Sequence, residues 1–392
     1  MEFPTCQLFE LIVVDDNSTD ATAEVAKQFG SRVISTNERS GPAAARNLGG
    51  RIAQGEFLVF LDADVSAHPT TISRLVNVLL EESDVAAVFG SYDVSPTAGN
   101  LISQFRNLLH HHVHQAANPN ASSFWAGCGA IRRSVFVDLG GFDARFQNPS
   151  IEDIELGIRL RQAGYKIRLD SQTQVTHAKP WSLVSMLSCD VWSRGVPWTR
   201  LILRQKSFPN DLNLKHAHRF SVVFAGLSIL TFVAAIWNAP WMVILPILGL
   251  LGIAAVDTWT GKTDNPTIAY RCAVTLAMLG AVLACWSSHW AFWSIVSVAI
   301  MVALNTGFYG LMYRLRGPSF AILCIPLHWL HYLSCGIAFG LGIGFHFRDK
   351  PKGSSEPFHS ADVATTDRAS EDGVSEGCNR RSAGYAAIVN GV

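Results

Sequence analysis

Five consecutive apolar residues, Phe57 to Leu61, run straight into Asp62, Ala63 and Asp64. A short unbroken apolar run of strand-forming residues reads as a strand buried on both faces. Its abrupt end places two carboxylates at the carboxyl edge of a sheet, and in an open α/β sheet that edge is where ligands bind. If the backbone stays extended, Asp62 and Asp64 lie on the same side of the chain, so together they can face one divalent cation or one polyol. The same residues also fit an Asp-rich strand-to-helix turn, with Ser66 or Pro69 opening a helix through Leu80.

The neighbouring stretches repeat the pattern. Phe9 to Val14 alternates little and is rich in Ile, Val and Leu, as expected of a doubly buried parallel strand, and it too ends in acids, Asp15 and Asp16. Asn17, Ser18, Thr19 and Asp20 then signal a helix start, with Gly30 as the stop. A strand at Arg32 to Thr36, a Gly41-Pro42 turn and an Ala-rich helix follow before the Phe57 strand. Alternating strands and helices predict parallel pairing with right-handed crossovers.

Further on, Val85 to Phe89 reads as a strand and Gly99 to Ala117 as a helix that carries His110, His111, His112 and His114 and stacks His110 over His114. A metal pair is one reading of these imidazoles; with no local carboxylate to support it, an interfacial helix surface is preferred. Gly127 and Gly129, within Ser122 to Ile131, allow close backbone approach to a ligand or tight packing alike. In the helix that follows Asp143 and its irregular loop, Ile151, Ile154, Ile158 and Leu160 form the predicted apolar face, so Glu152 and Asp153 sit in the first turn. Acids at that position offset the helix dipole, and they also suit a catalytic base at the mouth of a cleft. A last strand, Gln174 to Thr176, leads to His177.

The chain is 49% hydrophobic and only 16% charged, with a mean hydropathy of +0.21. Charged residues crowd the stretch up to Arg219, thin out through Leu311 and return after Arg348. Phe220 to Trp237, Trp241 to Val256, Ile268 to Trp286 and Trp290 to Leu304 approach the length of spanning helices and carry Trp at their ends. Lys and Arg flank alternate ends of these segments, and the positive-inside rule puts the amino-terminal domain in the cytosol. A fifth apolar stretch, Phe320 to Phe345, is interrupted by Pro326, His328 and His331; spanning and re-entrant courses are both open for it. The expected organisation is thus a domain over 1–215, four or five membrane helices over 216–346 and a disordered tail over 347–392. A formal net charge of zero and the lack of a basic stripe interleaved with aromatics exclude an electrostatic case for nucleic acid. The eight cysteines show no C-x-x-C spacing and indicate neither a zinc site nor a disulfide framework. The first residues carry an acid and no basic segment, unlike a signal peptide.

In their order, VVDDNSTDAT, GPAAARNLG, FLDADV, GGFD and EDIELGIRLRQAGY resemble the family 2 glycosyltransferases, over roughly Glu10 to Gly195. PLHWLHYLSCGIAFGLG resembles the carboxyl-terminal membrane segment of bacterial inner-membrane members. The resemblance implies a GT-A-like, mostly parallel α/β sheet domain followed by transmembrane helices, and an inverting transfer from a nucleotide-sugar, UDP-linked for preference, to a lipid or polyprenyl-type acceptor. It implies that Asp16 contacts the nucleotide base with Asp15 beside it, and that Asp62 approaches the ribose or the metal. Asp64 would bind Mn²⁺ or Mg²⁺, and His177 falls where a third metal ligand is found, an imidazole favouring Mn²⁺. Arg46 and, more weakly, Arg194 are candidates for the diphosphate, Glu152 lines the substrate side, and Asp153 occupies the position of the catalytic base.

Members of that family begin with another strand and helix ahead of the VVDD strand. Met1 leaves no room for them, so the sequence predicts either a start further upstream, the preferred reading, or a truncated copy whose sheet lacks an internal strand and exposes edges beside the gap. That gap motivates a second reading, a membrane scaffold that keeps the fold without the catalysis.

Overall fold

The computed structural model describes residues 9–206, 208–238, 289–349 and 385–391. The chain divides into two compact units, Met1–Leu214 with Ala338–Val392, and Lys215–Ile337.

The first unit opens with β1 (Phe9–Asp15), α1 (Thr22–Gln28), β2 (Arg32–Ser35), α2 (Pro42–Ile52) and β3 (Phe57–Asp62). There follow β4 (Val65–Ala67), α3 (Thr71–Glu81), β5 (Val85–Tyr92), α4 (Leu101–Gln115), β6 (Cys128–Arg132) and α5 (Arg133–Asp138). After them come α6 (Glu152–Gln162), β7 (Lys166–His177), α7 (Leu183–Ser188), a π-helical turn Cys189–Gly195, α8 (Val196–Gln205) and, near the end of the chain, β8 (Tyr385–Gly391). The strands form one sheet in the order β2-β1-β8-β3-β6-β5-β7-β4. Neighbours are parallel where β1 meets β2, where β8 meets β1 and β3, and where β5 meets β7. They are antiparallel where β6 meets β3 and β5, and where β4 meets β7.

Hydrophobic burial holds this sheet together. Phe57 to Phe60 are wholly buried, and Ile72, Leu75, Val76 and Leu79 on one face of α3 pack over Phe57, Val59 and Val88. A buried aliphatic or Phe side chain contributes roughly 1.5–3 kcal/mol, so this layer fixes the central strands. α4 starts where the Asn100 side chain accepts the Ser103 N–H, a side-chain cap for an otherwise unpaired amide.

The structure alters several sequence-based expectations. Ser66 does not open a helix: Val65–Ala67 pairs with the end of β7, and the helix waits until Thr71. The strand expected at Gln174 to Thr176 is the end of the longer β7. β1, β3 and β5 are not direct neighbours, because β8 and the antiparallel β6 lie between them. Two of the four imidazoles of α4 are not surface groups as expected. His111 and His114 are buried against β5, their Nδ1 atoms bonded to the carbonyls of Tyr92 and Gly90 at 2.7 and 2.9 Å.

The largest difference lies at the end of the chain. The tail is not structureless throughout: Tyr385–Gly391 is the strand that separates β1 from β3. Two parallel strands set one strand-width apart leave facing rows of unpaired N–H and C=O groups, which must find partners when buried. A short apolar run inside a polar tail satisfies both rows at once. Among the described residues the sheet has no internal gap.

In the second unit, α9 (His216–Asn238) is followed by α10 (His289–Leu304), α11 (Thr306–Arg316) and the start of α12 (Pro318–Arg348). α9 and α12 are long and apolar enough to cross a membrane, and α10 with α11 makes a third candidate if that pair, bent by 73°, is one broken span. The break falls at Asn305, whose side-chain amide donates to Ser221 Oγ at 2.8 Å and whose Oδ1 accepts from the Tyr332 hydroxyl at 2.8 Å. The fifth apolar stretch is continuous helix through Pro326. The expected segments Trp241 to Val256 and Ile268 to Trp286 lie outside the described residues.

Candidate active site

The carboxyl ends of β1 and β3 carry the acids that the sequence singles out, and the loops around them arrange those acids unequally. Asp15 is buried and accepts the Ser18 amide at 3.1 Å. Asp16 accepts from Ser40 N and Oγ at 2.8 and 2.6 Å, from Gly41 N at 2.7 Å and from Thr36 Oγ1 at 3.1 Å. Burial works to raise its pKa, but the hydrogen bonds from Ser40, Gly41 and Thr36 outweigh it and hold the carboxylate ionised. Asp16 thereby organises the loop that leads into α2. Gly41 tolerates this turn because its φ is +87°, and a Cβ there would stand 2.1 Å from the Gln147 carbonyl oxygen; only glycine fits such a position.

One turn into α2, Arg46 is buried between two carboxylates. Its Nη2 donates to Asp62 Oδ1 at 2.7 Å and its Nη1 to Glu152 Oε1 at 2.9 Å. Burial alone would lower the guanidinium pKa, yet the charges of Asp62 and Glu152 raise it, so the group stays ionised. The pair also corrects the predicted face of α6. The buried residues of that helix are Glu152, Leu156, Gly157 and Leu160, whereas Ile154 and Ile158 are only partly covered. Glu152 turns inward because a buried cation waits for it.

Asp153 follows on the next position of α6. Its Oδ2 accepts the Ala126 amide at 3.2 Å. Gly157 makes that contact possible, since a Cβ on it would meet the backbone nitrogen of Phe124 at 2.4 Å. The helix therefore lies close on the 122–126 segment. Burial, reinforced by the adjacent Glu152 charge, pushes the Asp153 carboxyl up to about 7 against the opposing pull of Arg46. A carboxylate poised near neutrality can accept a proton at working pH.

Asp64 and His177 come together through the β4–β7 pairing, which sets Val65 opposite His177. The Asp64 carbonyl accepts the Ala178 amide at 2.7 Å. Asp64 Oδ2 lies 3.8 Å from His177 Nε2 and 3.9 Å from Lys179 Nζ. Burial works to raise the Asp64 pKa, but His177 and Lys179 lower it more. Tyr92 stacks on the His177 ring, centroids 4.3 Å apart, and fixes its plane. Asp62 is drawn toward Arg46 instead, and among the described residues no three His, Cys, Asp or Glu side chains converge as a preformed metal cage. An ionised carboxylate beside a buried imidazole still fits a cation that takes its other ligands from substrate phosphates and water.

The two halves of the site lie within electrostatic reach of one another. Tyr92 is half-buried; desolvation raises its pKa, and Asp62 and Asp64 raise it further while Arg194 and Arg106 oppose them. Arg194, on the π-helical turn, also acts on Asp153. Sequence reading missed Tyr92, Trp125 and Lys179. Trp125, whose ring meets Tyr92 edge-on at 5.0 Å, lies in a stretch marked for close approach by its glycines. Tyr92 and Lys179 carry no such signal.

Residues 3–140 match the family described as glycosyl transferase family 2. Over 173 residues the chain is 31% identical to the probable glycosyltransferase YdaM of Bacillus subtilis, a match that covers 41% of this chain and 40% of that protein. It is 27% identical over 190 residues to the O-antigen chain rhamnosyltransferase WbaN of Salmonella anatum, covering 44% of this chain and 58% of the relative. The chain thus spans about half the length of these curated relatives. The mannosyltransferase PcManGT from Pyrobaculum calidifontis, solved with GDP-Man and Mn²⁺, is 15% identical with a TM-score of 0.37 over 84% of this chain and 77% of its own.

Proposed function

The chain, through residues 3–140, is a member of glycosyltransferase family 2, and on that premise we propose that it is a membrane-bound inverting glycosyltransferase. It moves a sugar from a nucleotide-sugar donor, UDP-linked in our reading, to a lipid or polyprenyl-type acceptor. The observation that carries the proposal is the Asp153 carboxyl, held by the Ala126 amide and pushed up to about 7 by burial and by Glu152.

Asp153 takes the proton from an acceptor hydroxyl as its oxygen attacks the anomeric carbon. The new glycosidic bond forms on the face opposite the leaving group, the bond to the nucleoside diphosphate breaks, and the configuration inverts. Asp64 and His177 would hold a divalent cation, Mn²⁺ for preference because one ligand is an imidazole. When bound there, such an ion would supply positive charge against that of the departing diphosphate. Arg46 is already neutralised by Asp62 and Glu152, so its part is to hold those two acids in place. Arg194, exposed on its π-helical turn and acting on both Asp153 and Tyr92, is the better candidate for the diphosphate.

α9 and α12 support the lipid class of acceptor, since helices able to cross a bilayer keep the domain beside amphiphiles. The Lys and Arg flanking α9 and α11 support, through the positive-inside rule, a domain on the cytosolic face of a bacterial inner membrane. The scaffold reading is motivated by a gap in the sheet, and the place of β8 between β1 and β3 favours the catalytic reading over it. The test is transfer of labelled sugar from a UDP-sugar to lipid extract by membranes that contain the protein with Mn²⁺. Absence of transfer, together with absence of UDP binding by calorimetry, overturns the proposal.

A further inference from the structure

β1 and β3 run parallel and deliver Asp15 with Asp16, and Asp62 with Asp64, to one edge of the sheet. They do not touch each other. β8 lies between them in a register that pairs Gly391 with Asp15 and Asn390 with Asp62. Two strand spacings of about 4.8 Å then separate the acid-bearing ends by on the order of 10 Å. At the other end of the strands Glu10 Oε1 accepts the amides of Gln54 and Gly55 at 2.7 and 2.9 Å, so β1 and the entry to β3 are tied across the same strand.

β8 also seats α2. Ile388 is fully buried, and a Cβ on Gly49 would meet its Cγ2 at 2.6 Å. The helix approaches the strand this closely because position 49 has no side chain. Arg46, one turn earlier on α2, reaches Asp62 and Glu152 from that seat. The height of Arg46 over the sheet is therefore set by the packing of Gly49 on Ile388.

We infer that the strand Tyr385–Gly391, supplied from the far end of the chain, is a positioning element of the donor site: it spaces the Asp15 and Asp62 ends and, through Ile388 under Gly49, sets Arg46. The word donor rests on the glycosyltransferase reading; the placement of the strand does not. The inference ties the competence of the site to a segment that follows the membrane helices in sequence, so the tail is a working part of the enzyme.

The test is a double-mutant cycle in the full chain. Gly49→Ala adds a methyl where Ile388 removes the space for it, and Ile388→Ala supplies that space. Each single variant raises KM for the nucleotide-sugar about tenfold with the acceptor KM unchanged, and the double variant recovers most of the loss, the non-additive behaviour of groups in contact. A merely structural role would lower the amount of folded enzyme without splitting the two KM values. Hydrogen exchange on the wild-type chain provides a reading that needs no substrate. Amides of 385–391 should exchange as slowly as those of β1 and β3. Fast exchange across 385–391, or additive effects in the cycle, overturns the inference. If slow exchange is found while UDP and Mn²⁺ fail to bind, the strand stands and the glycosyltransferase reading falls.

Discussion

The guanidinium of Arg46 and the carboxylate of Glu152 meet at 2.9 Å across 106 residues of chain, both side chains buried. The contact joins α2 to α6, and its second arm reaches Asp62 at the end of β3. Removing one partner of such a pair leaves a buried charge without compensation. Arg46→Ala should therefore cost about 3–5 kcal/mol of stability, read as a lower midpoint in chemical denaturation of the purified protein in detergent. Glu152→Gln, which keeps shape and one hydrogen bond, should cost less. Equal and small losses in the two variants would show that the pair does not hold α2 to α6.

Asp153 ties activity to pH. Its folded pKa is raised to about 7 by burial and Glu152, so the base is protonated below that value and kcat/KM should rise as pH passes through it. The sign for stability is opposite. A carboxyl whose pKa is higher folded than unfolded binds its proton more tightly in the native state, so its contribution to stability is present at low pH and declines from about pH 4 to about 7. Asp153→Asn should lower kcat by about 10²–10⁴ while melting no lower than wild type at pH 8. If the acceptor is a lipid phosphate, already ionised, the loss in kcat shrinks. Full activity of Asp153→Asn on a hydroxyl acceptor removes the base from its role.

His177 should report on the cation. Its imidazole faces Asp64 and is held flat by Tyr92. His177→Ala is expected to raise the half-activating Mn²⁺ concentration by about 10–100-fold and to erase any preference for Mn²⁺ over Mg²⁺. Titration of metal-stripped membranes with each ion measures both. An unchanged Mn²⁺ requirement would exclude His177 as a ligand.

Gly157 controls how closely α6 lies on the 122–126 segment. A methyl there meets the backbone of Phe124 and Ser123 at 2.4 and 2.8 Å, and backbone gives way less readily than a side chain. Gly157→Ala should destabilise by about 1–3 kcal/mol and, by moving Asp153 away from Ala126, shift the pH–rate profile. A variant with wild-type stability and profile would show that the helix slides without effect on the base.

The local elements were legible because each is written in a short window. Phe57 to Leu61 is apolar at every position, so it reads as a buried strand wherever it lies. Glu152 and Asp153 precede a periodic helix, so they read as its first turn. What failed was long-range. β6 and β4 turn antiparallel to their neighbours, and no pattern within either strand states which partner it will take. The four imidazoles of α4 read as a metal pair or an interface, but the carbonyls that accept from His111 and His114 lie on β5, out of sight of any helical window. Ile154 and Ile158 looked like the buried face of α6 until Arg46 drew Glu152 inward. The acids themselves were visible, yet nothing near Asp62 predicts that it faces Arg46 while Asp64 faces His177.

Residue order alone shows that apolar strands end in paired carboxylates, that a helix begins with Glu152 and Asp153, and that helices able to span a bilayer follow. These properties depend on neighbours within a few residues, where period, capping and burial act directly. It takes the folded chain to reveal that Tyr385–Gly391 stands between β1 and β3 and that Arg46 is locked between two acids. Such contacts join residues far apart in the chain, and they form because buried amides and buried charges must find partners wherever in the chain these lie.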